Sequence, residues 1–114
     1  MQLREIIQIL DAEILTKHDE SALDLDVHTA CGSDMMSDVL AYVKDQGLLL
    51  TGLVNPQVVR TSEMVDIVAI AFVRGKRPDS MTVELAESKN IILIGTDEKM
   101  YQACGKLYKA GLGN

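Results

Sequence analysis

Residues 66–73 read DIVAIAFV. Apart from the opening Asp66 the run is wholly apolar, and the charged stretch RGKRPDS (74–80) follows it at once. It is too short for an independent helix and shows no polar alternation, so it reads as a buried strand. LLLT (48–51) is a second apolar run, suited to a strand covered on both faces, and IILI (91–94) is a third.

The stretches between these runs have helical character. Asn55-Pro56 is a helix start, with Asn as the cap and Pro in the first turn. That helix turns Val58, Val59, Ser62 and Val65 inward. Asp79 caps a helix that runs to about Lys89. GTD (95–97) opens a last helix with Met100, Ala103, Cys104, Leu107 and Ala110 inward, ended by Gly111. Upstream, Ser33 caps a helix whose apolar face is Met35, Met36, Val39, Leu40 and Val43, with Gly47 near its stop. Helices and apolar strands thus alternate from Ser33 onward. The pattern predicts a single α/β layered domain with a largely parallel sheet of about five strands flanked by helices.

The N-terminal part is less regular. Leu3, Ile6, Ile7 and Leu10 recur at helical spacing, so residues 2–10 read as an amphipathic helix. AEILT (12–16) reads as a strand and KHDES (17–21) as a turn. ALDLDVHT (22–29) alternates Leu23, Leu25 and Val27 with Asp24, Asp26 and His28, the pattern of a half-buried strand.

A chain of 114 residues has room for one domain with a real core, here residues 1–114. A net charge of −6 argues against a nucleic-acid backbone binder. No apolar run is long enough to span a bilayer, and MQLREIIQIL lacks the character of a secretory leader. A cytoplasmic protein with free thiols at Cys31 and Cys104 is the expectation.

The loops that follow the strands carry the chemistry. In open α/β sheets ligands bind at the carboxyl ends of strands, where helix N-termini present free N–H groups. Those loops hold Thr29 and Ser33, then Thr51, Gly52 and Asn55, then Arg74, Lys76 and Arg77, then Thr96 and Asp97. Arg74-Gly75-Lys76-Arg77 is the densest positive charge in an acidic chain, and with Arg60 it could hold phosphates. The alternative is that the Thr, Ser and Asn residues are helix caps and the basic loop is solvated. His28 and Cys31 form only one closely spaced pair, with Cys104 distant, which is too few ligands for structural zinc. A Cys31 nucleophile with His28 as base would need a turn at Ala30, because residues three apart on a strand face opposite sides. Asp34 and Asp38 sit four apart and read as the wet side of a helix. Tyr101 and Tyr108, seven apart on the last helix, could edge a self-association surface.

Over nearly its whole length the chain resembles the DRTGG domain family. The resemblance is carried by AEILT (12–16), LDLDVHTACGSDMMSDVL (23–40), LLLTG (48–52), NPQVVRTS (55–62), IVAIAFVRGKRPD (67–79) and IILIGTDEKMYQACGKLY (91–108). The name motif is degraded: Asp26, Val27, His28, Thr29, Ala30, Cys31 and Gly32 stand in its place, without the Arg or the glycine pair. The resemblance implies an α/β domain similar to the N-terminal domain of HPr kinase/phosphorylase. It implies an accessory, non-catalytic role, since such domains stand beside adenine-nucleotide-binding CBS domains, in some pyrophosphatases and in longer phosphotransacetylases. No P-loop is present, so kinase chemistry is not carried over. Stand-alone relatives near redox genes imply a metabolic or redox enzyme as protein partner.

The combined expectation is a regulatory or ligand-sensing module that forms a homodimer. It would bind a phosphorylated metabolite or adenine nucleotide, and no metal or cofactor is expected. The alternatives are a ligand-free module that docks on a larger enzyme or regulator, and a small enzyme using His28 and Cys31.

Overall fold

The computed structural model describes residues 1–43 and 45–113. The elements are α1 (Leu3–Leu10), β1 (Glu13–Ile14), a 3₁₀ turn (Glu20–Asp24), β2 (Thr29–Gly32), α2 (Met36–Tyr42) and β3 (Gly47–Thr51). Then come α3 (Pro56–Met64), β4 (Ile67–Phe72), α4 (Ser80–Ser88), β5 (Ile92–Gly95) and α5 (Met100–Lys109). One five-stranded sheet has the order β1-β5-β4-β3-β2. Strands β2 to β5 are parallel, and β1 joins β5 antiparallel. The predicted α/β class, strand number and mainly parallel sheet are all present.

The apolar runs are buried because both faces of the sheet are covered. Leu48 and Leu50 face one core with Ala69, Ala71 and Ile94, beneath Leu3, Ile6 and Leu10 of α1 and Ala103 and Leu107 of α5. Leu49, Ile70, Phe72 and Leu93 face the other, beneath Val39 of α2, Val58 and Val59 of α3 and Ala86 of α4. Successive strands β2 to β5 are neighbours, and α2, α3 and α4 all lie on one face, as uniformly handed crossovers require. Among the described helices that follow a parallel strand, α5 crosses to the opposite face, where α1 also lies.

The sequence-based boundaries need correction in several places. The alternating stretch 22–29 is not a strand. Asp19 accepts a hydrogen bond from the Ala22 amide and starts the 3₁₀ turn, and Arg4 of α1 pairs with Glu20 and Asp24 to hold it. The local Asp19 bond sets the turn against the period-2 pattern, and β2 begins only at Thr29. Ser33 does not cap α2: its hydroxyl accepts from Met35 in a turn before the helix, whose N-cap is Met35. Gly47 does not stop α2 but opens β3, and the left-handed turn falls on Gln46. Gly95 ends β5 and α5 starts later, at Met100, so GTD does not open it. Ala110 is exposed and not inward. The Asn55 and Asp79 caps form as expected, accepting from Val58 and Thr82.

Candidate functional site

The carboxyl ends of β2 to β5 bring four loops together. Asp34, from the loop after β2, directs its carboxylate onto the loop after β3. One carboxylate oxygen accepts from the Thr51 hydroxyl at 2.9 Å and from the Gly52 amide at 2.7 Å. The other lies 4.0 Å from the Arg74 guanidinium, which comes from the loop after β4. A hydroxyl, a backbone N–H and a guanidinium thus converge on one carboxylate. This is an anion seat, and a carboxylate of the chain itself sits in it. Thr51 and Gly52 are buried, whereas the Asp34 and Arg74 side chains are 47% and 49% exposed, so solvent reaches the seat.

Two glycines make the arrangement possible. A Cβ on Gly52 would lie 2.1 Å from an Arg74 nitrogen, and a Cβ on Gly95 would lie 2.6 Å from the Arg77 guanidinium carbon. Each arginine therefore lies directly on the backbone at a strand end. Sequence reading placed Gly52 in the loop after the second apolar run and Gly95 at a helix start, but it did not foresee that an arginine lies on each. Their signal was glycine beside threonine at the end of a buried run: Thr51-Gly52 and Gly95-Thr96.

Between β4 and β5 the following helices depart to opposite faces, which in this fold class opens a crevice. Here backbone bonds bridge it. The Arg74 amide donates to the Glu98 carbonyl at 2.8 Å and the Gly75 amide to the Thr96 carbonyl at 3.0 Å. Arg74 and Gly75 take left-handed backbone angles, φ +61° and +71°, to make these bonds. Arg74 bears the strain of a side chain in that region. Arg77 is held by Glu13 at 2.8 Å and lies 3.7 Å from Asp97. Lys76 is exposed and makes no ion pair among the described residues.

The other sequence candidates divide. Thr96 is buried and donates to the Leu10 carbonyl at 2.7 Å while accepting from the Glu98 amide, so its hydroxyl is spent on the fold. Asn55 is engaged as the α3 cap. Ser33 lies at the rim. Thr29 is at the other end of β2, where it donates to the Asp45 carbonyl, so the structure does not bring it to this edge. Arg60 stands on the exposed side of α3, in the helix and not in a loop after a strand, without an ion pair among the described residues. Asp34 precedes α2, so it does not share a helical face with Asp38.

His28 and Cys31 do not pair. The His28 ring lies between two carboxylates, Asp45 and Asp26, each at 3.0 Å. The bond to Asp45, chiefly, raises its pKa above the ordinary 6.5, with Asp26 adding to it against some desolvation. Cys31 points into the α2–α3–α4 core, and burial pushes its thiol up, away from thiolate character. Cys104 packs on the opposite face of the sheet, against the α1–α5 core. Among the described residues no group of three His, Cys, Asp or Glu side chains is placed to hold a metal.

A second concavity lies beside the edge strand β2. It encloses about 640 Å³ between Ala30 and Gly32 of β2, Leu50 of β3, and Cys104 and Leu107 of α5. Tyr101, 85% exposed, and Tyr108, 69% exposed, stand at its mouth.

No family model matches the chain, and no curated protein matches it. A solved structure does. It holds the CBS and DRTGG domains of the regulatory region of a Clostridium perfringens pyrophosphatase, complexed with the activator diadenosine tetraphosphate. The match has a TM-score of 0.78 over 98% of this chain, at 16% identity. The chain has a DRTGG-like fold. It spans about half of that structure's length, 48%. At such identity the likeness is one of fold. No helix of the described residues is long and apolar enough to cross a membrane.

Proposed function

We propose that this chain is a non-catalytic regulatory module that senses a phosphorylated or adenine-nucleotide ligand at the carboxyl edge of its sheet and self-associates. The observation that carries the reading is the anion seat made by Thr51, Gly52 and Arg74. Its donors suit one phosphate group, and the free ammonium of Lys76 suits a second. Arg77, braced by Glu13, keeps the basic loop in place, and Ser33 lines the rim. Asn55 and Thr96 serve by fixing the loops that carry the donors. The fold's likeness to a regulatory region crystallised with a nucleotide activator supports the ligand class. Sensing would work by differential binding, with the ligand favouring one arrangement of the loops and of the assembled copies. The cytoplasm, where both thiols stay reduced, is the proposed setting.

A second reading is favoured by the groove beside β2. Its apolar floor and tyrosine rim suit a ligand-free module docked on a larger metabolic or redox enzyme or regulator. The two readings separate in a thermal-unfolding screen against adenine nucleotides and phosphorylated metabolites. A ligand at about a hundred times its dissociation constant adds roughly 2.7 kcal/mol. For a domain of this size the midpoint rises on the order of 10 °C. The sensing reading expects such a rise, lost in the double variant Arg74→Ala, Lys76→Ala. No rise with any compound would overturn it in favour of the interaction module.

A further inference from the structure

We infer that Asp34 is a built-in competitor for the anion seat, and that a phosphate ligand binds by displacing its carboxylate. The inference rests on the proposed phosphate-sensing role of the same edge and adds how that site is regulated. Asp34 uses the Gly52 amide, the Thr51 hydroxyl and the Arg74 guanidinium, which are the donors a phosphate oxygen would need. A phosphate cannot take them while the carboxylate stays: the seat holds one anion, and a second would meet like charge at contact distance.

Displacement is feasible on the geometry. The carboxylate and the guanidinium are both about half exposed and 4.0 Å apart, the upper limit of an ion pair. Exposed pairs of that kind are weak. The hydrogen bonds from Gly52 and Thr51 are the stronger hold, and they are the ones that a phosphate oxygen would replace in kind. Asp34 sits in the turn between β2 and the short helix α2, whose one fully buried side chain is Val39. The turn is closed by the Ser33 hydroxyl and the Met35 amide at 3.0 Å. When Asp34 leaves the seat, the turn loses its side-chain link to the loop after β3, while Val39 keeps α2 on the sheet.

The test uses tripolyphosphate, which offers phosphate charge without a base. Its affinity is measured by calorimetry for the wild-type chain and for Asp34→Ala. The expected result is at least tenfold tighter binding by Asp34→Ala, abolished when Arg74→Ala is added. Asp34→Asn keeps an oxygen for Gly52 and Thr51, so it serves should Asp34→Ala fail to fold, and it should also bind more tightly. Asp38→Asn removes a negative charge four residues on, outside the seat, and should leave affinity unchanged. The Gly52 amide resonance should move on titration, in step with binding. Equal affinity in wild type and the Asp34 variants would overturn the competitor role while leaving the sensing site standing. Equal tightening by Asp38→Asn would reduce the effect to net charge and overturn it too. No binding by any of them would overturn both.

Discussion

At the scale of single residues, the edge of the sheet depends on what glycine leaves out. Gly52→Ala puts a methyl group 2.1 Å from the Arg74 guanidinium. The arginine tip is flexible and exposed, so it can swing aside. The variant should keep its unfolding midpoint within a few degrees of wild type yet lose tripolyphosphate binding, as calorimetry would show. Retained binding would mean that Arg74 does not act from above Gly52. Thr96 is the opposite case, a buried hydroxyl committed to the fold. Thr96→Val strands the Leu10 carbonyl and the Glu98 amide, and should cost about 1–3 kcal/mol in urea unfolding. His28 carries a pH dependence. Its pKa is raised in the folded chain, first by Asp45, so its contribution is complete below the ordinary value of 6.5 and is lost as pH rises through the folded value. Stability measured against His28→Gln should therefore show an advantage for wild type at pH 6 that fades at higher pH. A pH-independent difference would exclude the charged clamp. The sequence showed these residue types but not their pairings. Asp34 looked like the wet face of a helix because its real partners, Thr51 and Gly52, lie seventeen and eighteen residues away.

At the scale of elements, local chemistry decided where sequence reading succeeded. Asn55-Pro56 and Asp79 announce their helices because a cap and its amide partner lie within one turn. Asn55→Ala should cost about 1 kcal/mol, the usual penalty for an uncapped helix start. Ser33→Ala should cost less, within about 0.5 kcal/mol, because Ser33 serves a turn and not the helix N-cap. Equal losses would mean that Ser33 does cap α2. The three buried strands were legible from composition alone, since only a strand covered on both faces is apolar throughout. The stretch 22–29 was misread because its alternation fits a strand, while the turn Glu20–Asp24 is set by Asp19 just upstream of it. Asp19 starts the turn by accepting from Ala22, and Arg4, distant in sequence, adds exposed ion pairs to Glu20 and Asp24 that no local window contains.

At the scale of the whole molecule, two surfaces compete for the function. One is the anion seat at the carboxyl edge of the sheet. The other is the groove of about 640 Å³ beside β2, a strand at the sheet's margin with Tyr101 and Tyr108 standing over it. The order of the sheet and the crossing of α5 place them apart: the seat spans the loops after β2, β3 and β4, while the groove lies on the α5 face. The direct measurement is an amide NMR titration of the whole chain with ATP. A ligand-sensing edge predicts shifts at residues 33–35, 51–55 and 74–77. Shifts confined to Ala30, Gly105 and Gly113, or no shifts at millimolar nucleotide, would contradict it.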